Sequence, residues 1–420
     1  MFSITAHNNQ YLRIGQDTMQ AVLSIRVDAH AATAPAPLAL GIALDHSGSM
    51  DGDKINAARS GAAKVVQALD ETMTFLLVSF NHEARVLFGP ALGTAENKRL
   101  ALQSIQSVRA HGGTRMSTAL NAIVDRLGQR RDWAAKVLFL TDGKNEGEKR
   151  PALNQAVERC NAADISISAW GIGTDWDADE LRYIANATHG SADIIPTPQQ
   201  VASAFAASFN EMRKTTLTNA RLVLWSPVGV AVKHIQQVFP NIAPLDLQPD
   251  PSSPRQQLVS LGSFAPGDQR DYLCDLAIPV YDPGQQFMML RPSMRYVASQ
   301  SGEQEERAER SGWVFAQWTE NVSLAAQIEA HIAHYTNQEE LSQRINEGQA
   351  ALAAGDRERA TRLLGDALSM SERLGNERIT KLLNTIVLRD EKGTIRLNQQ
   401  ADAVAKKTLA INVGRTSKLQ

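Results

Sequence analysis

From Leu38 to about Met212, short apolar runs alternate with amphipathic stretches. Leu38 to Leu44, Phe75 to Phe80, Val137 to Leu140 and Ile165 to Trp170 are largely apolar, the pattern of strands covered on both faces, and Arg85 to Phe88 is a weaker run of the same kind. Between them Ile55, Ala58, Ala62, Val65, Val66 and Leu69 recur at helical spacing. Met116, Leu120, Ile123, Val124 and Leu127 do the same and stop at Gly128, a C-terminal cap. Alternating strands and helices predict right-handed crossovers, hence a doubly wound α/β domain with a parallel sheet over residues 34–213.

After Lys214 the period changes. Arg221 to Trp225, Gly229 to Val238, Gln257 to Leu261, Asp271 to Ile278, Phe287 to Val297 and Trp313 to Trp318 are β-prone and separated by turn clusters such as Ala265-Pro-Gly-Asp268. This predicts an all-β sandwich over 214–320. Met19 to Val27 also reads as a strand and needs a sheet to cover its apolar face. Residues 1–33 are expected to pair with the sandwich, making the α/β unit an insertion; an extra edge strand on the α/β sheet is the alternative. Residues 321–388 turn helical, and the stretch around Ala350 to Ala367, with Gly355-Asp356 at its turn, predicts a helical hairpin packed on the sandwich. Gln304 to Arg310 reads as a solvated loop or strand edge. Residues 389–420 carry Arg389, Lys392, Arg396, Lys406, Lys407, Arg415 and Lys418 against Asp390, Glu391 and Asp402, and read as a flexible, partner-seeking tail. Thr408 and Thr416 beside its basic residues are candidate phosphoacceptors.

Composition narrows the function. A 420-residue chain with 43 Lys and Arg against 45 Asp and Glu has a net charge of −2 and no field to gather polyanions, so neither nucleic acid nor anionic membrane is expected as a partner. Two cysteines, Cys160 and Cys274, exclude a disulfide framework and suit a reducing compartment. The first residues lack a signal-peptide pattern and no apolar run reaches about 18 residues, so a cytoplasmic, unanchored protein is expected.

The chemistry concentrates at strand ends. Asp45-His46-Ser47-Gly48-Ser49 follows the first buried strand, Gly112-Gly113-Thr114 precedes the helix from Met116, and Thr141-Asp142-Gly143 follows the strand ending at Leu140. In an open parallel sheet such loops meet at the carboxyl edge. Asp45, Ser47, Ser49, Thr114 and Asp142 would bring together three hydroxyls and two carboxylates, an all-oxygen set that selects hard cations: Mg²⁺ first, with Ca²⁺ or Mn²⁺ as alternatives. Such an ion keeps exchangeable positions, one of which an Asp or Glu of a partner protein can fill. His46 is expected to be an exposed neighbour of the loop, and Gly171-Ile-Gly-Thr-Asp175 a strand-exit turn.

This pattern resembles the metal-ion-dependent adhesion site (MIDAS) of von Willebrand factor type A (vWA) domains, and the stretch 38–212 looks like that family. The resemblance implies that Ser47, Ser49 and Thr114 coordinate directly or switch in and out, while Asp45 and Asp142 act through water or as anchors. The wider chain resembles bacterial cytosolic members of stress or conflict systems, which implies partners such as a MoxR-type AAA ATPase, a Ser/Thr kinase or a phosphatase.

A binding adaptor is therefore expected rather than an enzyme. A hydrolase elbow requires Gly-x-Ser-x-Gly, a frame that Ser47 and Ser49 lack. A Mg²⁺-dependent phosphoesterase using Asp45 would want a second acid where Ser47 stands. An RNA-binding member of the family is the remaining alternative.

Overall fold

The computed structural model describes residues 1–30, 34–128, 133–298, 301–390 and 394–419. Three strands open the chain: β1 (Phe2–His7), β2 (Tyr11–Arg13) and β3 (Thr18–Val27). The α/β unit then runs β4 (Leu38–Asp45), α1 (Asp53–Ala68), β5 (Thr74–Phe80), β6 (Ala84–Leu92), α2 (Ala95–Gln106), α3 (Met116–Leu127), β7 (Ala134–Thr141), α4 (Arg150–Ala162), β8 (Ser166–Ile172), α5 (Ala178–Ala187), β9 (Ser191–Ile195) and α6 (Val201–Met212). Its sheet has the order β6-β5-β4-β7-β8-β9, parallel except for β6. Every residue of β4 and β5 is buried because both faces are covered. Ala39 and Ala43 pack with Leu120, Val157 and Leu181 on one side; Leu40, Ile42 and Leu44 pack with Val65, Ile105 and Phe205 on the other. That double coverage is why these strands read as unbroken apolar runs. β6 gave the weaker signal because it is a partly exposed edge.

The sandwich is built from β10 (Leu217–Trp225), β11 (Ala231–Phe239), β12 (Ala243–Pro244), β13 (Gln248–Pro249), β14 (Gln256–Phe264), β15 (Gln269–Ala277), β16 (Gln286–Ala298), β17 (Gly302–Arg307) and β18 (Val314–Thr319). One sheet has the order β1-β3-β15-β11-β12; the other has β13-β14-β10-β16-β18-β2, with β17 paired to β16. β3 lies between β1 and β15, with Leu23 opposite Tyr272, and its buried face joins the sandwich core. The α/β sheet ends instead at β6 and β9, so the α/β unit is inserted between strands of the sandwich. Exposed β17 occupies the Gln304 segment.

Helices α7 (Val322–Ala325), α8 (Ala330–Ala353), α9 (Arg357–Arg373) and α10 (Glu377–Ile386) follow. α8 and α9 form the hairpin, with Gly355 at φ +81° and Asp356 capping α9 through a bond from the Arg359 N–H. Ile332 and Tyr335 of α8 pack on Val22, Val238 and Leu273 of the sandwich.

The flexible-tail expectation is corrected by the structure. After β19 (Val387–Arg389) and β20 (Ile395–Leu397), α11 (Ala403–Asn412) buries Leu409 and Ile411, and Val413 beyond its end is also buried. Two of the tail's cations reach internal carbonyls: Lys407 Nζ donates to Trp176 O (2.5 Å) and Arg415 to Ala192 O (2.8 Å). Asn376 holds Arg415 O (3.0 Å), His334 contacts Ser417 O (2.8 Å), and Thr416 N–H donates to Pro240 O (3.0 Å). The segment thus ties the α/β unit, the sandwich and the helices together. Nor are the candidate phosphoacceptors free hydroxyls: Thr408 donates to Val404 O (2.7 Å) and Thr416 to Val238 O (2.6 Å). Glu391 and Lys392, counted in the tail's charge, lie outside the described residues. Ile411→Ala and Leu409→Ala should each cost about 2–4 kcal/mol in urea unfolding, where a mobile tail would give no change.

Candidate functional site

β4 and β7 are parallel neighbours, with Leu44 opposite Leu140. Asp45 ends β4, Thr141 ends β7, and the order of strands reverses between them, so the following loops diverge and leave a crevice at the carboxyl edge. Local bonds fix the first acid. Asp45 Oδ1 accepts the Ser47 N–H (2.7 Å) and Oδ2 accepts the Thr141 hydroxyl (2.6 Å). The Asp45 turn thereby presents Ser47 Oγ at 3.1 Å from Ser49 Oγ, and Ser49 Oγ donates to Asp142 Oδ1 (2.7 Å).

Thr114 arrives from the third loop. A methyl group built on Gly143 would lie 3.0 Å from Thr114 Oγ1 and 3.7 Å from Ser49 Oγ, so both hydroxyls converge on the space that this glycine leaves open. Backbone bonds stitch the loops: Gly48 N to Gly112 O (2.8 Å), His111 N to His46 O (2.7 Å), Arg115 N to Asn81 O (2.7 Å) and Glu146 N to Thr114 O (2.8 Å). All five residues singled out from the sequence therefore meet at one edge of the sheet. Asp45 and Asp142 are fully buried and Ser47 and Thr114 nearly so, whereas Gly48 and Ser49 are exposed, so the cluster reaches the surface along its Gly48-Ser49 side.

The model of the von Willebrand factor type A domain matches residues 40–207. This stretch is a von Willebrand factor type A domain. The full chain superposes on the solved von Willebrand factor type A protein of Catenulispora acidiphila with a TM-score of 0.90 and 26% identity, covering 100% of this chain and 97% of that one. An uncharacterized protein of Synechocystis, sll0103, is 28% identical over 284 residues, 66% of each chain. Inter-alpha-trypsin inhibitor heavy chain H2 of the pig is 25% identical over 217 residues, 49% of this chain but 23% of its own length. The aligned part thus spans just under two thirds of the first relative and about a quarter of the second. Domains of this type often bind a divalent metal.

The electrostatics of the vWA site fit an oxygen-bound cation. Asp45 and Asp142 are both fully buried, and a buried carboxylate needs a positive partner or several donors. Lys54, the second residue of α1, supplies one ammonium: its Nζ lies 2.5 Å from Asp142 Oδ2 and 3.3 Å from Ser49 O. Asp142 thus has an ammonium partner, whereas Asp45 is answered only by the neutral Ser47 N–H and Thr141 hydroxyl. Burial pushes the Asp45 carboxyl up to about 6, against the bonds from Thr141 and Ser47 that favour its charged form. Added positive charge would relieve that cost, and every side-chain donor facing it is oxygen, the chemistry of a hard cation.

His46 departs from expectation. It is buried rather than exposed, at 8% accessibility, because the His111 ring lies over it with centroids 5.0 Å apart. Burial lowers its pKa to about 4, so its ring is neutral, and Nδ1 has no partner within the protein. Sequence reasoning also missed Lys54, Thr141 and Gly143 as working parts of the vWA site. The signal for Lys54 was its place one turn after the serine loop; Thr141 and Gly143 stood beside Asp142 without their contacts being visible.

Gly143→Ala should displace the Thr114 hydroxyl and weaken divalent-ion binding about tenfold or more, read by calorimetric titration with Mn²⁺. Lys54→Met should strengthen it by up to about tenfold, since Asp142 then has no ammonium to share; unchanged or weaker affinity would contradict that competition.

Proposed function

We propose that this protein is a non-enzymatic adaptor whose vWA domain captures an acidic side chain of a partner protein through a divalent cation. Ser47, Ser49 and Thr114 would hold Mg²⁺ (or Ca²⁺ or Mn²⁺), with Asp45 and Asp142 supplying charge from behind, as in a MIDAS. The bound ion would offer a Lewis-acidic position to a carboxylate. The observation that supports this reading is the convergence of three loops: the Thr114 and Ser49 hydroxyls meet over Gly143, Ser47 Oγ lies 3.1 Å from Ser49 Oγ, and the two carboxylates are buried behind them. Exposed Arg115 and Lys144, next to Thr114 and Gly143, favour an acidic guest, with Glu146 opposing them.

The Asp45 side chain is committed to Ser47 and Thr141, an arrangement that suits an anchor better than a phosphoryl-transfer nucleophile. The partner classes that fit are a MoxR-type ATPase, a Ser/Thr kinase or a phosphatase, met in the cytoplasm without nucleic acid or membrane. Among the described residues, no helix is long and apolar enough to cross a membrane.

Affinity capture with the full-length chain in Mg²⁺ should recover a partner that is lost in excess chelator and with Asp45→Ala or Ser47→Ala. Equal recovery in chelator would refute the metal-mediated reading. Turnover of small phosphoesters that tracks Mg²⁺ would refute the non-enzymatic one.

A further inference from the structure

Far along the chain from the vWA loops, the end of β1 meets the start of α8. We propose that His7, Glu329 and His331 form a second metal site, of the zinc class and chemically distinct from the oxygen cluster. One ligand atom from each lies within 4.8 Å of the other two, and among the described residues no other group of three His, Cys, Asp or Glu has this spacing. The imidazoles of His7 and His331 stack with centroids 3.6 Å apart and planes 24° from parallel. Stacked rings aim their in-plane lone pairs past each other, so binding one ion would turn one imidazole out of the stack while its nitrogen stays within reach of the other two ligands. Tetrahedral zinc with bonds of about 2.0–2.2 Å needs ligand atoms roughly 3.4 Å apart.

The carboxylate is already oriented. Glu329 Oε2 caps α8, accepting the N–H groups of His331 (2.7 Å) and Ile332 (3.1 Å), which leaves Oε1 2.9 Å from His331 Nδ1. The opposing strand is fixed too. Asn9, two residues beyond His7, donates its amide to Gln327 O (2.7 Å), two residues before Glu329. All three candidate ligands are half-buried, so the cluster is neither sealed nor freely mobile.

Two imidazoles and a carboxylate select zinc-like ions over Mg²⁺, which prefers oxygen. Three protein ligands leave a further position to water or an outside group. Glu329, alone of the three, also lines a groove of about 580 Å³ with Asn9, Met19 and Ile332. A bound ion would clamp the first strand of the sandwich to the first turn of the helical layer.

Calorimetric titration of the full-length chain with ZnCl₂, in Mg²⁺ sufficient to occupy the oxygen site, should give one zinc per chain. His7→Ala, His331→Ala and Glu329→Gln should each weaken it by about tenfold or more. Glu329→Gln keeps an oxygen for the helix cap, so misfolding would not account for its effect. Zinc should also raise the Tm of the wild-type chain and not that of the variants. No zinc site in the wild-type chain, or affinity unchanged by all three substitutions, would overturn the proposal.

Discussion

The parallel pairing of β4 with β7 brings Asp45 beside the Thr141-Asp142 corner, and the Thr141 hydroxyl closes the gap with a 2.6 Å bond to the carboxylate. Neither acid has access to solvent. A carboxylate in that position is tolerated only when its oxygens are answered by donors or cations. The Ser47 N–H, Thr141 hydroxyl, Ser49 hydroxyl and Lys54 ammonium are those answers, and each comes from a segment placed by the sheet. The surrounding loops are then held by one another's backbone groups.

The same logic explains the helices and the tail. A sandwich whose sheets include β1 and β2 must keep the chain's first residues in place, and α8 does so by packing Ile332 and Tyr335 over Val22. The final segment binds carbonyls of the α/β unit with one side chain and of the sandwich with the next. Burying long basic side chains is favourable here because their charged ends reach fixed acceptors while their stems cover apolar surface.

Much of this was legible in the sequence where both faces of a strand are covered. Leu38 to Leu44 and Phe75 to Phe80 had no polar alternation to confuse, and the polar residues immediately after buried strands marked the crevice. Legibility failed where a residue's partner is distant. His46 looked solvated until His111, from another loop, covered it. In the tail, seven cations outweighed the apolar signal of Leu409, Ile411 and Val413, and nothing local shows that Lys407 and Arg415 find carbonyls more than 200 positions away. His7 and His331 likewise give no hint of one another, because the contact exists only once the sandwich and the helical layer have met.

Inserting one unit inside another imposes an order on biosynthesis. β3 leaves the ribosome early with Leu23 and Ile25 on its inner face, yet its neighbour β15 begins only at Gln269. The intervening α/β unit, whose sheet is complete within its own stretch, is free to fold cotranslationally meanwhile. Until β15 emerges, β3 is paired with β1 on one side only, and its other edge stays open, the kind of exposed strand edge on which nascent chains aggregate.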